Sequence, residues 1–124
     1  MLFTLLDTTG TSGFPLITHK AISWVENGNR YVMHNPRHRQ PVIEHIEDFI
    51  KSGRKIKGIS FIELNKNPHE YHNKNKHRKF NLLKYNCEHF YYGFIKNKEY
   101  SPQLKLYSLL ALYAGYRVIY HGKK

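Results

Sequence analysis

The chain has 124 residues, enough for one compact domain with a single core and too few for two. Its 20 Lys and Arg residues outnumber 9 acidic ones, giving a formal net charge of +11 that favours an anionic partner, either an acidic lipid surface or, less favoured, a nucleic acid. The single cysteine excludes an internal disulfide framework and a cysteine-rich zinc site, and it is typical of a reducing compartment.

The two ends of the chain bear on location. The start, "MLFTLLDTTG", lacks a positive leader and its apolar run is broken by Asp7, so we predict no secretory signal. The most apolar stretch, "LYSLLALYAGY", is shorter than the roughly 20 residues that a membrane span needs. We therefore expect a cytoplasmic protein without a transmembrane span, and peripheral attachment to a membrane stays open.

A β-hairpin is predicted near the N-terminus. The segment 16–25, "LITHKAISWV", is rich in β-formers, and 29–34, "NRYVMH", follows after "ENG". The Asn27-Gly28 pair is typical of the tight turn that joins two antiparallel strands. His19 and His34 are therefore expected on paired strands.

The middle of the chain is predicted to contain a helix, a strand and a basic loop. Apolar residues at helical spacing predict an amphipathic helix over 42–53, and "KIKGISFIEL" predicts a strand over 55–64. The stretch 65–79 has the Asn, Lys and His composition of a basic surface loop. We expect no metal site there, because a loop holding His69, His72 and His77 offers only Glu70 as a carboxylate ligand.

Two further helices are predicted in the C-terminal third. Asn86 is a helix cap by residue type, and an apolar stripe from Phe90 to Ile95 predicts a helix over 87–96 with Cys87 in its first turn. The last helix is expected over 102–114, with "YRVIY" finishing as a strand. One apolar stripe on that helix is interpreted as core: Leu106, Leu109, Leu110 and Tyr113.

Cys87 has two interpretations. The first turn of a helix offers partial positive charge and unpaired N–H groups, which stabilise a thiolate and an oxyanion. A catalytic thiol also needs a base, normally a histidine oriented by a third group, and the chain has 9 histidines. From the residues alone, a small buried cysteine beside Phe90 is the more common outcome.

Three segments resemble one protein family. "FNLLKYNCEHF" resembles the Asn-Cys-Glu-His-Phe box of the lecithin retinol acyltransferase family, with the Asn-Leu-Leu run that often precedes it. "HKAISWVENGNRYVMHNP" is similar to the histidine block of that family, and "IEHIEDFIKSGRKIK" resembles the helix between the two blocks. The segments occur in the family's order over roughly residues 15–104 of a single domain, 1–124.

The resemblance implies a fold, a mechanism and a substrate class. The family is a circularly permuted branch of the papain-like, NlpC-type superfamily, with an α+β fold. A small antiparallel sheet carrying two histidines packs against a helix with the cysteine at its N-terminus. By the same resemblance Cys87 is the nucleophile, His19 the base and His34 the residue that orients His19. No cofactor is implied, and a thioester forms from a lipid ester or an amide, often a phospholipid.

Other residues of these segments receive supporting roles. Trp24 and Tyr85 are expected to contact the substrate, and Asn86 to cap the helix. Glu88 and His89 are expected to brace the helix terminus or neighbouring backbone. The sequence departs from the family at Ser23, where an aromatic residue is usual, and at the start, where the usual Gly-Asp is not evident.

Two alternatives to an acyl-transfer enzyme stay open. A non-catalytic basic module could bind RNA or a protein partner on the same scaffold, with the cysteine box kept for packing. An NlpC-type peptidase or amidase is the other, and it is disfavoured by the missing export signal.

Overall fold

The computed structural model describes residues 1–10, 18–37 and 39–121, with side chains in the last helix described as far as Gly115. These residues form the predicted α+β fold, an antiparallel sheet of five strands with four helices. The elements in chain order are β1 (Leu2–Thr8), β2 (His19–Glu26), β3 (Asn29–His34), β4 (Val42–His45), α1 (Ile46–Lys51), β5 (Ile56–Glu63), α2 (Pro68–Asn75), α3 (Cys87–Lys96) and α4 (Pro102–His121).

The sheet has the order β4-β3-β2-β1-β5. Its β2–β3 hairpin confirms the sequence prediction, and the turn residues Asn27 and Gly28 have φ values of 53° and 79°. Both values lie in the left-handed region that a two-residue hairpin turn requires. Residues 16 and 17, which begin the predicted first strand, lie outside the described residues.

β1 lies between β2 and β5 and was not predicted as a strand. It pairs with both neighbours, Thr8 with His19 on one side and Leu2 with Glu63 on the other. Alternate side chains reach opposite faces, so that Phe3 and Leu6 enter two different apolar clusters.

The two faces of the sheet carry separate cores. On one face, Ile22 and Trp24 of β2 pack with α3 in a cluster that includes Phe90. On the other face, Ala21 packs with Phe49 of α1. Because strand side chains alternate, even-numbered residues of β2 face α3 and odd-numbered ones, including His19, face α1.

Two predicted elements in the middle of the chain are corrected. Residues Val42–His45 form an edge strand paired with β3, and the predicted helix begins only at Ile46. Residues 68–75 are helical, so the predicted loop over 65–79 is wrong at these positions, while 65–67 and 76–79 are irregular or turn. The side chain of Asn67 caps this helix by accepting from the N–H groups of His69 and Glu70, and Pro68 occupies its first turn, where proline is favoured.

The last helix also differs from the prediction. α4 continues to His121, so the predicted strand over 116–120 is wrong. The four residues interpreted as a core stripe are exposed, because α4 begins beside α3 and then runs without packing that stripe on the sheet: Leu106, Leu109, Leu110 and Tyr113. Within the described residues, none of the helices combines the length and hydropathy needed to cross a bilayer.

Candidate active site

Cys87 is the first residue of α3, as the sequence predicts. The side chain of Asn86 accepts hydrogen bonds from the N–H groups of Glu88 and His89, at 2.9 and 3.2 Å. Nδ1 of His89 accepts from the N–H of Asn86 at 2.9 Å, which completes a capping box. Two residues of the resemblance motif therefore fix the backbone on either side of the cysteine.

The sulfur of Cys87 lies against the edge of β2 at His19. Its thiol donates to the carbonyl oxygen of Thr18 at a long 4.0 Å, and the backbone N–H of Lys20 points at the sulfur. In a strand, the backbone N–H and C=O groups of alternate residues point to the same edge. The backbone carbonyl of His19 points to β1, where it accepts from the Thr8 hydroxyl. The backbone groups of Thr18 and Lys20 therefore point to the other edge of β2, which β3 does not cover because its pairing with β2 ends at Ala21 and His34.

His19 and His34 form a direct hydrogen bond. Nε2 of His19 lies 2.8 Å from Nδ1 of His34, and the two rings are perpendicular with centroids 5.0 Å apart. Both side chains are more than nine-tenths buried. Both pack around the ring of Phe49 from α1, which fixes their orientation.

Glu44 extends this pair and was missed by the sequence analysis. Its Oε1 lies 3.1 Å from Nε2 of His34. A carboxylate only accepts, so Nε2 of His34 carries the proton and Nδ1 of His34 accepts from Nε2–H of His19. Nδ1 of His19 is then the unprotonated nitrogen, and it has no hydrogen-bond partner among the described residues. No local signal marked Glu44, because "VIEH" lacks the apolar–polar alternation of a half-buried strand.

The structure joins the two histidines by a hydrogen bond, whereas the thiol of Cys87 lies near them without contacting the base. The described residues contain no hydrogen bond between the Cys87 thiol and the His19 ring. The reason is the alternation of β2, since the His19 side chain lies on the α1 face and α3 packs on the other face. The sulfur reaches only the strand edge that separates these two faces.

The thiol is protonated at neutral pH. Burial raises the pKa of Cys87 to about 11. The N–H of Lys20 opposes this increase, the Glu88 carboxylate adds to it, and the positive charge of Arg54 opposes it. The helix terminus therefore does not by itself produce a thiolate.

Both buried histidines are neutral at neutral pH. Burial holds the pKa of His19 well below its ordinary value, and the repulsion that a protonated His34 would exert and the positive charge of Arg54 add to this effect. Burial also lowers the pKa of His34, although the hydrogen bond to Glu44 opposes it. The same bond holds the pKa of Glu44 below its ordinary value, so this carboxyl is ionised.

Glu88 and Gln103 join the cysteine helix to α4 and to β2. The carboxylate of Glu88 accepts from the Ser101 hydroxyl at 2.7 Å and from the N–H of Gln103 at 2.8 Å, at the start of α4. The Gln103 amide accepts from the N–H of Thr18 and donates to its carbonyl, at 2.9 and 2.8 Å. Gln103 thus holds the backbone of Thr18 by two hydrogen bonds, as a residue of a neighbouring strand would.

Trp24 and Tyr85 lie in the core, where they expose almost no surface to a substrate. Trp24 is fully buried on the α3 face, and Tyr85 is buried with the guanidinium of Arg78 over its ring at 3.5 Å. The carbonyl of Tyr85 accepts from the Asn35 amide at 3.3 Å. Through this bond the segment before Cys87 is tied to the residue after His34.

The histidines of the 65–79 segment do not converge. His69 contacts the carboxylate of Glu26 at 3.1 Å, and Nε2 of His72 donates to the carbonyl of Pro41 at 3.0 Å. Over the described part of the chain, no three His, Cys, Asp or Glu side chains are grouped as metal ligands.

Comparison with known proteins gives no match. No family model fits the chain, and no curated protein or solved structure resembles it significantly. The resemblance to the lecithin retinol acyltransferase family therefore stays a prediction from the sequence.

Proposed function

We propose that the protein is a cysteine-dependent acyl hydrolase or acyltransferase that acts on a lipid ester or an amide through a thioester on Cys87. The observation that carries the proposal is the hydrogen-bonded series Glu44–His34–His19, which ends where the sulfur of Cys87 meets β2. A base oriented by a third group beside a nucleophile is the arrangement that covalent catalysis requires.

The first half of the reaction forms the thioester. Nδ1 of His19 takes the thiol proton as the sulfur attacks the acyl carbon, and a C–S bond forms. The His19 imidazolium then gives this proton to the leaving alcohol or amine as its bond to the acyl carbon breaks. His34 accepts from Nε2–H of His19 throughout, and Glu44 stabilises the positive charge.

The second half returns the enzyme to its starting state. Water, an alcohol or an amine gives a proton to His19 and attacks the thioester carbon. The C–S bond breaks, the product carries the acyl group, and the sulfur recovers its proton from His19. The thiol and the base must come closer than they are here, and catalytic hydrogen bonds commonly shorten when substrate binds.

An anionic membrane surface is the proposed place of action. The helix α4 presents exposed apolar side chains on most of its surface, and the formal net charge is +11: these side chains are Leu106, Tyr107, Leu109, Leu110, Leu112 and Tyr113. An apolar helix face together with basic charge favours binding at an acidic lipid interface. Leu110→Glu should release the protein from vesicles containing phosphatidylserine, whereas Ser60→Glu, which adds the same charge at an exposed position of β5, should not.

The chemistry is tested by intact-protein mass spectrometry with a short-chain phospholipid. We expect an acyl adduct on the wild type, none on Cys87→Ala and strongly reduced labelling of His19→Gln. His77→Gln, an exposed histidine, is the matched control and should label as the wild type does. Absence of the adduct from the wild type, or its presence on Cys87→Ala, would overturn the proposal.

A basic binding module is the second candidate, and one groove favours it. This groove has a volume of about 590 Å³ between β4 and the end of α2, and Arg39, His72, Lys76 and His77 line it. The neutral thiol of Cys87 also fits a structural role. RNA binding that weakens steeply with salt and is lost in Lys76→Glu, with no acyl adduct, would favour this candidate.

A further inference from the structure

Arg54 is a buried cation beside the candidate site. It lies between α1 and β5, and only 8% of its surface is exposed. Its guanidinium lies over the ring of Phe49, 5.4 Å from the centroid. The next residue is fixed to Thr9, which directly follows β1: the N–H of Lys55 donates to the Thr9 hydroxyl, and the carbonyl of Lys55 accepts from the N–H of Thr9. The position of Arg54 is therefore set by backbone contacts.

Within the described parts of the chain, the guanidinium of Arg54 has no hydrogen-bond acceptor. Its buried Nε–H has no partner there, and no carboxylate of those residues forms an ion pair with it. The Glu44 carboxylate is already engaged with His34. Burying a cation without a hydrogen-bonded counter-ion is costly. The nearby charge of Glu44, which raises the pKa of Arg54, and the Phe49 ring offset only part of that cost. An arginine in this state is ready to bind an anion from outside the chain.

The location of Arg54 relates that anion to the chemistry. Phe49, whose ring contacts Arg54, also contacts both His19 and His34, with ring centroids 6.3 and 4.9 Å away. The charge of Arg54 acts on both ends of the proposed reaction, lowering the pKa of Cys87 and that of His19. A ligand group held by Arg54 would lie on the α1 face of the site, near the Phe49 ring that contacts both histidines.

We propose that Arg54 is the binding site for an anionic group of the substrate, a phosphate or a carboxylate, held next to the reacting acyl group. This inference rests on the proposed acyl-transfer function and adds the substrate's charge to it. The planar guanidinium suits both oxyanions, because it can donate two parallel N–H bonds to them. A neutral acyl ester would leave the guanidinium without a hydrogen-bonded anion.

The test measures anion binding apart from catalysis, on the Cys87→Ser protein. The probes are inorganic phosphate, acetate, and a short-chain phosphatidic acid and diacylglycerol with the same acyl chains, each below its aggregation concentration. The readouts are the NMR signal of the Arg54 Nε–H and the melting temperature. We expect phosphate to shift that signal and to raise the melting temperature by about 4 °C at ten times its Kd.

Variants and lipid pairs assign the binding to Arg54. Arg54→Gln should abolish the increase in melting temperature, and Arg54→Lys should bind more than tenfold more weakly. Lys51→Gln, which removes an exposed charge from the neighbouring helix, should behave as the parent does. Phosphatidic acid should bind at least tenfold more tightly than either phosphate or diacylglycerol if the anion belongs to the substrate.

The outcomes separate this inference from the proposed function. An unshifted Arg54 Nε–H signal, or equal effects of phosphate on the Arg54→Gln and Lys51→Gln proteins, would overturn the anion site even if the wild type forms an acyl adduct. If the Arg54→Gln protein does not fold, the NMR titration of the parent protein and the phosphate affinity of the Arg54→Lys protein still show whether Arg54 binds the anion. Anion binding without any acyl adduct would instead overturn the proposed function on which this inference rests.

Discussion

Glu44 and His34 are joined by a hydrogen bond of 3.1 Å between Oε1 and Nε2, and this bond decides which nitrogen of each histidine carries a proton. Because His34 must donate to Glu44, it accepts from His19, and the free lone pair of His19 is on Nδ1. The carboxylate therefore determines the state of a base with which it has no direct hydrogen bond.

Replacing Glu44 should disturb the protonation of both histidines. In Glu44→Ala, Nε2–H of His34 loses its acceptor and the pKa of His34 falls further, since the bond to Glu44 raises it. We expect mixed tautomers of His19 and His34 in ¹⁵N NMR spectra, and a loss of about 1–3 kcal/mol in the free energy of unfolding. Glu44→Gln keeps an acceptor oxygen and should retain a single tautomer; mixed tautomers in that variant would contradict the assignment.

The stability of the protein should decrease as the pH falls below about 6.5. The folded-state pKa of His19 is lowered, so the unfolded chain binds its proton first on acidification, and the free energy of unfolding drops with pH. The expected contribution of His19 is about 1.4 kcal/mol per pH unit between its two pKa values. Urea unfolding at pH 7.5, 6.0 and 5.0 measures this slope, which should be smaller in His19→Gln; equal slopes would show that His19 is not the cause.

Glu88→Gln should make the thiol more acidic. The Glu88 carboxylate raises the pKa of Cys87, so its neutral replacement should move that pKa below about 11. The same change weakens the charge-assisted bonds to Ser101 and to the N–H of Gln103, at a cost of about 1 kcal/mol. A pH series of iodoacetamide labelling measures the first effect, with the exposed Glu47→Gln as control. An unchanged labelling profile would argue against this role of Glu88.

Gln103→Ala should loosen the start of β2. The change removes both hydrogen bonds to Thr18 and leaves its N–H and carbonyl without these partners. We expect a loss of about 1–3 kcal/mol in the free energy of unfolding and faster amide hydrogen exchange at Thr18. Gln40→Ala removes only a 3.4 Å bond at the surface and should cost less than about 0.5 kcal/mol. Equal costs for the two variants would contradict the proposed clamp.

The sequence predicted the elements whose signals are local. The Asn27-Gly28 turn and the Asn86 cap each depend on a few adjacent residues, and both occur where they were expected. The α+β class was implied by the family resemblance, and the structure has it.

The sequence analysis failed where tertiary partners decide the local structure. Val42–His45 has apolar spacing that suits a helix, but the free edge of β3 offers it strand pairing. The stripe on α4 has core spacing, but α4 does not pack it on the sheet, and apolar side chains of β5 such as Ile59 and Phe61 stay exposed as well. Glu44 and Arg54 were missed because their contacts with the site depend on which face of the sheet each residue lies on, and the sequence does not reveal that face.

The β2–β3 and β1–β5 pairings also imply an order of folding. β2 and β3 are joined by two residues, so this hairpin closes a very short loop, whereas β1 pairs Leu2 with Glu63 across about half of the chain. The hairpin that carries both histidines can thus form early, and the β1–β5 pairing must wait for the segment between them. Cys87 lies still later in the chain, so during folding the base can be assembled before the nucleophile reaches it.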